Sequence, residues 1–330
     1  MPEQPEDAGP PLEVRELAAR RSAARQARDF AAADDLRDQI RGLGWLVTDS
    51  PAGQRLATAA GEAHADAGRR GQPGYRVLGA AGDIQRPPAV AEDAGRRAAT
   101  VALLIEGWPD DLRDCVMALL EYLPPGVAIS GLDVGNAGGA GDALHALAQA
   151  YPDRITELHV RSGAGWGQAR NALLRADPAP VHIVMETSTI LTGDAISPLL
   201  GALAADGVVA AGWRGADPDP DLRSFHDAGP GPVTALLGYL MAVRKDAASR
   251  AGGFAATARF YRNADLEFSL RLGRQGTLVV PQEPLPVRQG RHRGYHDSEP
   301  AMRDAESRRN YRRVLDLLRA DQSLATGPES

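Results

Sequence analysis

Six short, continuously apolar runs, at 101–105, 127–132, 155–160, 181–185, 208–211 and 278–280, alternate with helical patterns along the last two thirds of the chain. A strand that is apolar along its whole length needs cover on both faces, and the spacers are long enough for crossover helices. The pattern predicts an α/β domain over 99–297, with a mainly parallel sheet and helices on both faces. In such sheets ligands bind beyond the carboxyl ends of the strands. The residues following the runs, Glu106, Asp133, Ser162 and Glu186, are therefore the first candidates for function.

Upstream the character differs. The acidic, proline-rich segment 1–11 reads as a disordered tail and not a signal peptide, because it has no apolar core. Between 12 and 44 two helical segments carry Val14, Leu17, Ala18 and Ala24, then Phe30, Ala33, Leu36, Ile40 and Leu43, with Gly44 as the stop. Residues 45–48 and 54–57, joined by Ser50, Pro51, Ala52 and Gly53, read as a hairpin, so 12–57 forms a small module. Segment 58–98, rich in Ala, Gly, Asp, Arg and Pro, is expected to be a flexible linker. A C-terminal helix is expected over 298–320, carrying Met302, Tyr311, Val314, Leu315 and Leu318 and packing on the domain or on a partner, followed by a tail over 321–330.

A net charge of -6 and a pI near 5.7 argue against a general polyanion binder, whose affinity would come from clustered Lys and Arg. One cysteine, Cys115, excludes an internal disulfide and a cysteine metal cluster. No apolar run approaches the ~20 residues needed to cross a bilayer, and a cytoplasmic location is expected.

The segment 260–271, FYRNADLEFSLR, sets a carboxylate where helical packing would normally place an apolar side chain. For a helix opening near Asn263, Leu266 and Leu270 form one apolar pair and Phe268 and Leu272 another; Asp265 projects between them. Near the positive end of the helix dipole such an acid is ionised yet partly withdrawn from water, which suits a general base. A capping aspartate is the plain alternative. Glu267 and Arg271, four apart, are read as a surface ion pair. Asp133 opens a polar turn with Gly135 and Asn136, suited to a base or ribose edge or simply to turn formation. The turn 165–171 enters a helix and brings backbone N–H groups and Arg170 toward an anion. Glu186 can meet a metal ion or a sugar hydroxyl, while His292 and His296 offer imidazoles for a metal or a departing diphosphate.

Taken in order over about 99–295, these segments resemble a family 2 glycosyltransferase of GT-A fold, a Rossmann-like architecture. The carrying sequences are VALLIEGWPDDLRDCVMALL, the Asp133 turn, GWGQARNALL, IVMETSTILTGD, GYLMAVRKDAASRAGGF and NADLEFSLRLGRQG. The resemblance implies Asp265 as catalytic base, Asp133 as a nucleotide contact, Arg170 near the donor's phosphates and Glu186 as the first position of the DxD motif. It further implies a nucleotide-sugar donor, a glycan, lipid or small-molecule acceptor, Mn2+ or Mg2+, and inversion at the anomeric carbon. Two departures stand out: Ser188 occupies the place of the second metal-binding aspartate, and Ala264 replaces the acid before the base. His292 or His296 would supply part of the missing metal coordination. The departures keep a second reading open, a catalytically weak or inactive GT-A domain that binds a nucleotide or glycan.

Residues 12–57 are similar to the extreme C-terminal part of cysteinyl-tRNA synthetases, on the sequence RRSAARQARDFAAADDLRDQIRGLGWLVTDSPAGQRL. The signature sequences and zinc cysteines of those enzymes are missing, so aminoacylation is excluded. Arg20, Arg21, Arg25 and Arg28 are followed closely by Asp34, Asp35 and Asp38, and a protein contact is favoured over tRNA binding. An RNA-associated adaptor is the third reading.

Overall fold

The computed structural model describes residues 9–27, 32–33, 36, 39–40, 42–50, 53–58, 75–78, 97–134, 139–160, 164–290, 292–296 and 298–325. Residues 1–8 of the expected 1–11 tail, 326–330 of the expected 321–330 tail, most of 58–98, Ser162, and the Gly135 and Asn136 half of the Asp133 turn lie outside these residues, while 321–325 continue the C-terminal helix and do not form a tail.

The N-terminal module contains helix α1 (Leu12–Gln26) and strands β1 (Trp45–Ser50) and β2 (Gly53–Thr58), paired antiparallel as the sequence predicts. Val14, Leu17, Ala18, Leu36 and Ile40 form its core, with Trp45, Val47 and Leu56 against them. Leu43 departs from the predicted apolar face and is 42% exposed. The chain leaves the helix there, with Gly44 at a left-handed φ of 79° that turns it into β1.

Segment 58–98 contains a strand that the linker reading missed, β3 (Tyr75–Leu78). Its four residues add in parallel to the sheet edge, where backbone pairing substitutes for the apolar periodicity the surrounding sequence lacks. The remaining strands are β4 (Ala99–Ile105), β5 (Val127–Asp133), β6 (Ile155–Val160), β7 (Val181–Met185), β8 (Thr189–Leu191), β9 (Val208–Gly212), β10 (Gly215–Pro218), β11 (Phe225–Ala228), β12 (Gly231–Val233), β13 (Ala235–Leu236), β14 (Leu240–Arg244), β15 (Thr277–Val280) and β16 (Val287–Gln289). Nine of them build the main sheet in the order β12-β15-β9-β14-β7-β4-β5-β6-β3. β14 runs antiparallel to both neighbours, β7 and β9, and β12 is antiparallel at its edge; the other pairs are parallel.

Helices cover both faces, as the continuously apolar strands require. Val101, Leu103 and Ile105 of β4 pack toward α2 (Pro109–Tyr122), α3 (Ala140–Ala150) and α5 (Ile196–Leu203). Ala102 and Leu104 face α4 (Trp166–Ala176), α6 (Lys245–Arg250) and α7 (Ala264–Gly273). A short helix α8 (Arg293–His296) and the long α9 (Pro300–Ala325) follow.

The two apolar pairs of α7 belong to different cores. Phe268 and Leu272 pack on the sheet, while Leu266 and Leu270 meet Val314 and Leu318 of α9. The C-terminal helix therefore packs on the domain. It also corrects the reading of Glu267 as half of a surface ion pair: Glu267 is buried, its Oε2 accepts Arg313 Nε at 2.7 Å, and Arg271 stands 3.8 Å away. α9 covers the helix face that isolated α7 would leave in water. Asn310, fully buried, donates from Nδ2 to the carbonyls of Phe260 and Arg262 at 2.8 and 2.9 Å and fixes the turn that leads into α7.

At the start of α4, a Cβ on Gly167 would lie 2.0 Å from the Ala255 carbonyl oxygen. Gly167→Ala is expected to cost about 3 kcal/mol, the upper end for overpacking, read as a lowered urea midpoint with an unchanged slope.

Candidate active site

The carboxyl ends of β4, β5 and β7 deliver Glu106, Asp133 and Glu186 to one edge of the sheet, as the strand pattern predicts. The reversed strand β14 begins at that same edge, so the residues before it, Gly238 and Tyr239, join the site from the opposite chain direction. A cleft there is lined by Leu104, Glu106, Trp108, Arg170, Glu186 and His292, among others.

Asp265 sits in the first turn of α7, and Asn263 before it takes a left-handed φ of 65°. Its Oδ2 accepts the Gly238 N–H and its Oδ1 the Leu266 N–H, each at 3.0 Å. Gly238 allows this approach because a Cβ there would lie 3.1 Å from Asp265 Cβ. Removal from water is the largest influence on the carboxyl; the two N–H donors oppose it, the charge of Glu186 reinforces it, and the net effect raises Asp265 to about 6. The side chain is half-buried and still reaches solvent. Glu186 donates its N–H to the Tyr239 carbonyl at 3.2 Å, so Glu186, Tyr239, Gly238 and Asp265 form one connected rim.

Glu186 is buried and contacts His292 Nε2 through Oε2, while the His292 ring stacks on Tyr261 at 4.2 Å. Burial alone would lower His292, but the hydrogen bond and charge of Glu186, with Glu106 beyond, hold it above its ordinary value. Glu106 is accessible from the cleft, yet protein crowds its carboxyl. That loss of hydration, offset by Arg170 and reinforced by Glu186, brings it to about 7. His296 is exposed and does not line the cleft. Ser188 accepts a hydrogen bond from Gln289 Nε2 at 2.8 Å, so its hydroxyl ties β16 to the loop after β7.

Arg170 reaches the cleft from beneath. It is fully buried, with Nη1 donating to the Ala102 carbonyl at 3.0 Å and Nη2 to the Met185 carbonyl at 3.2 Å, and it packs over Trp166. The guanidinium fastens the middle of β4 to the end of β7 from beneath the cleft. The helix start is not an open anion cradle, because the Gly167 N–H is taken by the Ala258 carbonyl at 2.8 Å. Small residues let the 255–258 loop press onto α4, and this packing uses the groups that a glycine-rich turn can otherwise turn toward phosphate.

Asp133 lies opposite Ile105 in the β4 and β5 ladder, two strands from β7, on the order of 10 Å along the sheet edge. A buried chain that sequence reasoning missed supports it. Asp133 Oδ2 meets His159 Nδ1 at 3.2 Å, His159 Nε2 meets Glu157 Oε2 at 2.9 Å, and Glu157 Oε1 meets His145 Nδ1 at 2.8 Å. Burial works against the charge on His159, but its two carboxylate partners prevail and raise it to about 9. The alternate placement of Glu157 and His159 on β6 was a usable signal: polar residues within a run otherwise buried on both faces need partners.

No protein-family model matches the chain. A cysteine–tRNA ligase of Caldicellulosiruptor saccharolyticus is 41% identical over 46 residues, 14% of this chain and 10% of that protein. The chain thus spans about a tenth of the length of that curated relative. Among solved structures, GalNAc-T7 with UDP, GalNAc and Mn2+ aligns with a TM-score of 0.55 and 15% identity, over 68% of this chain and 49% of that one. The mannosyltransferase PcManGT of Pyrobaculum calidifontis, in complex with GDP-Man and Mn2+, aligns with a TM-score of 0.49 and 16% identity, over 74% and 80%. The mixed sheet with helices on both faces is that of the GT-A glycosyltransferases. In the chain's described part no helix is long and apolar enough to cross a membrane.

Proposed function

We propose that the chain is a family 2-like glycosyltransferase that moves a sugar from a nucleotide-sugar donor to an acceptor hydroxyl with inversion, working in the cytoplasm with Asp265 as general base. The carrying observation is Asp265 itself, an acid near 6 held by two backbone N–H groups on the rim it shares with Glu186. A base near the working pH is both ionised and able to accept a proton. In the displacement, Asp265 takes the proton of the acceptor O–H while that oxygen bonds to the anomeric carbon. The bond from this carbon to the donor's phosphate oxygen breaks, and its electron pair leaves with the nucleoside diphosphate. Asp133, steadied by His159, would hold the nucleoside, and the positive charge of Arg170 would act on the phosphates from below.

Glu186 and His292 converge, but no group of three His, Cys, Asp or Glu among the described residues could hold a metal ion. The pair fits Mn2+ or Mg2+ where the donor's diphosphate and water complete the coordination, as is usual for Mg2+. Such an ion supplies positive charge at the leaving group. His296 stands outside this arrangement.

A thermal-shift panel of UDP- and GDP-sugars with and without Mn2+ or Mg2+ tests the reading. A donor at a hundred times its Kd should stabilise by about 2.7 kcal/mol, and free nucleotide should then accumulate with time. If no nucleotide sugar moves the melt, the reading fails. The engagement of Ser188 with Gln289 favours the second reading, a GT-A binder of nucleotide or glycan, which would give the shift without turnover. For the N-terminal module we propose a protein contact; the match to a cysteine–tRNA ligase keeps the RNA adaptor as its rival, tested by a gel shift with bulk tRNA.

A further inference from the structure

We infer that the acceptor carries a carboxylate or phosphate close to the hydroxyl that is glycosylated, and that Arg214 binds this acidic group. The inference rests on the transfer reading, with Asp265 as base. Trp213 and Arg214 leave the end of β9 beside the residues that enter β14. The Trp213 N–H donates to the Leu240 carbonyl and the Leu237 N–H to the Arg214 carbonyl, both at 2.9 Å. The very next residue, Gly238, donates to the Asp265 carboxylate. Arg214 is thus fastened to the segment that holds the base.

Its guanidinium lies 4.6 Å over the Trp213 ring and 6.0 Å from that of Tyr239, and the two rings meet edge to face at 6.4 Å. Most exposed arginines are simply solvated, but the position of this one over two aromatic rings restricts its freedom. Other arginines of the domain have carboxylate partners: Arg250 with Asp246, and Arg271 and Arg313 with Glu267. Arg214, exposed at the rim, has no carboxylate or hydrogen-bond partner for its side chain among the described residues. A planar fork held without a partner suits two-point binding of a carboxylate or phosphate. Trp213 and Tyr239 add half-buried ring surface against which the C–H face of a sugar or polyol can lie.

The test uses three matched probes, glucose, glucuronate and glucose 6-phosphate, titrated calorimetrically into the full chain up to tens of millimolar. One or both acidic sugars should bind about tenfold more tightly than glucose, and the pair separates a carboxylate site from a phosphate site. Arg214→Gln should abolish the preference and Arg214→Lys, which keeps the charge but not the fork, should retain part of it, each variant being checked by its thermal melt. Equal binding of all three sugars, no binding of either acidic one, or a preference that survives Arg214→Gln overturns the inference. Donors that are turned over while the acidic sugars gain nothing would sink this inference alone; donors that neither bind nor react would sink the transfer reading beneath it.

Discussion

Asp265→Asn is expected to lower transfer by about 10²- to 10⁴-fold, the usual contribution of a positioned base, while the protein keeps its fold and its donor-induced thermal shift. Asparagine retains one oxygen for the Gly238 N–H, while its NH2 replaces the oxygen that accepts the Leu266 N–H, so one of the two hydrogen bonds survives. The pH behaviour supplies an independent check. Because Asp265 is raised from 3.8 to about 6, the folded chain binds its proton more tightly than the unfolded chain does. Ionisation of this group therefore works against the fold as pH climbs from about 4 through 6, so the melt of the asparagine variant should depend less on pH across that window than the parent's does. Wild-type transfer should rise through about pH 6 and then level. An Asp265→Asn protein with full transfer rate would remove Asp265 from the mechanism.

Arg170→Ala is expected to act first on stability, at a cost of about 3 kcal/mol. It removes a buried guanidinium, empties its space, and leaves the Ala102 and Met185 carbonyls without a shared donor. For a domain of this size the melting temperature should fall by roughly 6–12 °C. Glu106 and Glu186 would also lose the charge that balances them, and Glu106 should titrate still higher than about 7. An Arg170→Ala protein that melts like the parent and loses only donor affinity would instead make Arg170 a direct phosphate contact.

Much of this was legible because it depends on period and position. Runs apolar on both faces specified covered parallel strands, and the rule that ligands sit beyond their carboxyl ends picked out Glu106, Asp133 and Glu186 before any coordinates. Asp265 was legible because a carboxylate between two apolar pairs breaks the helical pattern. Strand β14 was not among the six runs, and its reversal was not legible either, since an apolar strand reads alike in either direction. The local setting of Arg170 was not legible for a related reason: a glycine-rich turn specifies that backbone comes close, without saying whether a phosphate or another loop approaches. Glu267 was assigned to the surface because α9, more than 30 residues further on, supplies its cover. The chain from Asp133 to His145 depends on pairing between strands and a helix, which local spacing does not encode.

The backward strand β14 has a consequence for how such a protein can be re-engineered. Trp213 and Leu240 are bonded to each other, so everything from β10 to β13 is a detour that departs from and returns to one fixed pair of backbone positions. Replacing the whole detour would remove β12, which pairs with β15, and Gly238, which holds Asp265; exchanging the 219–224 connection between β10 and β11 would leave every strand of the central sheet in register.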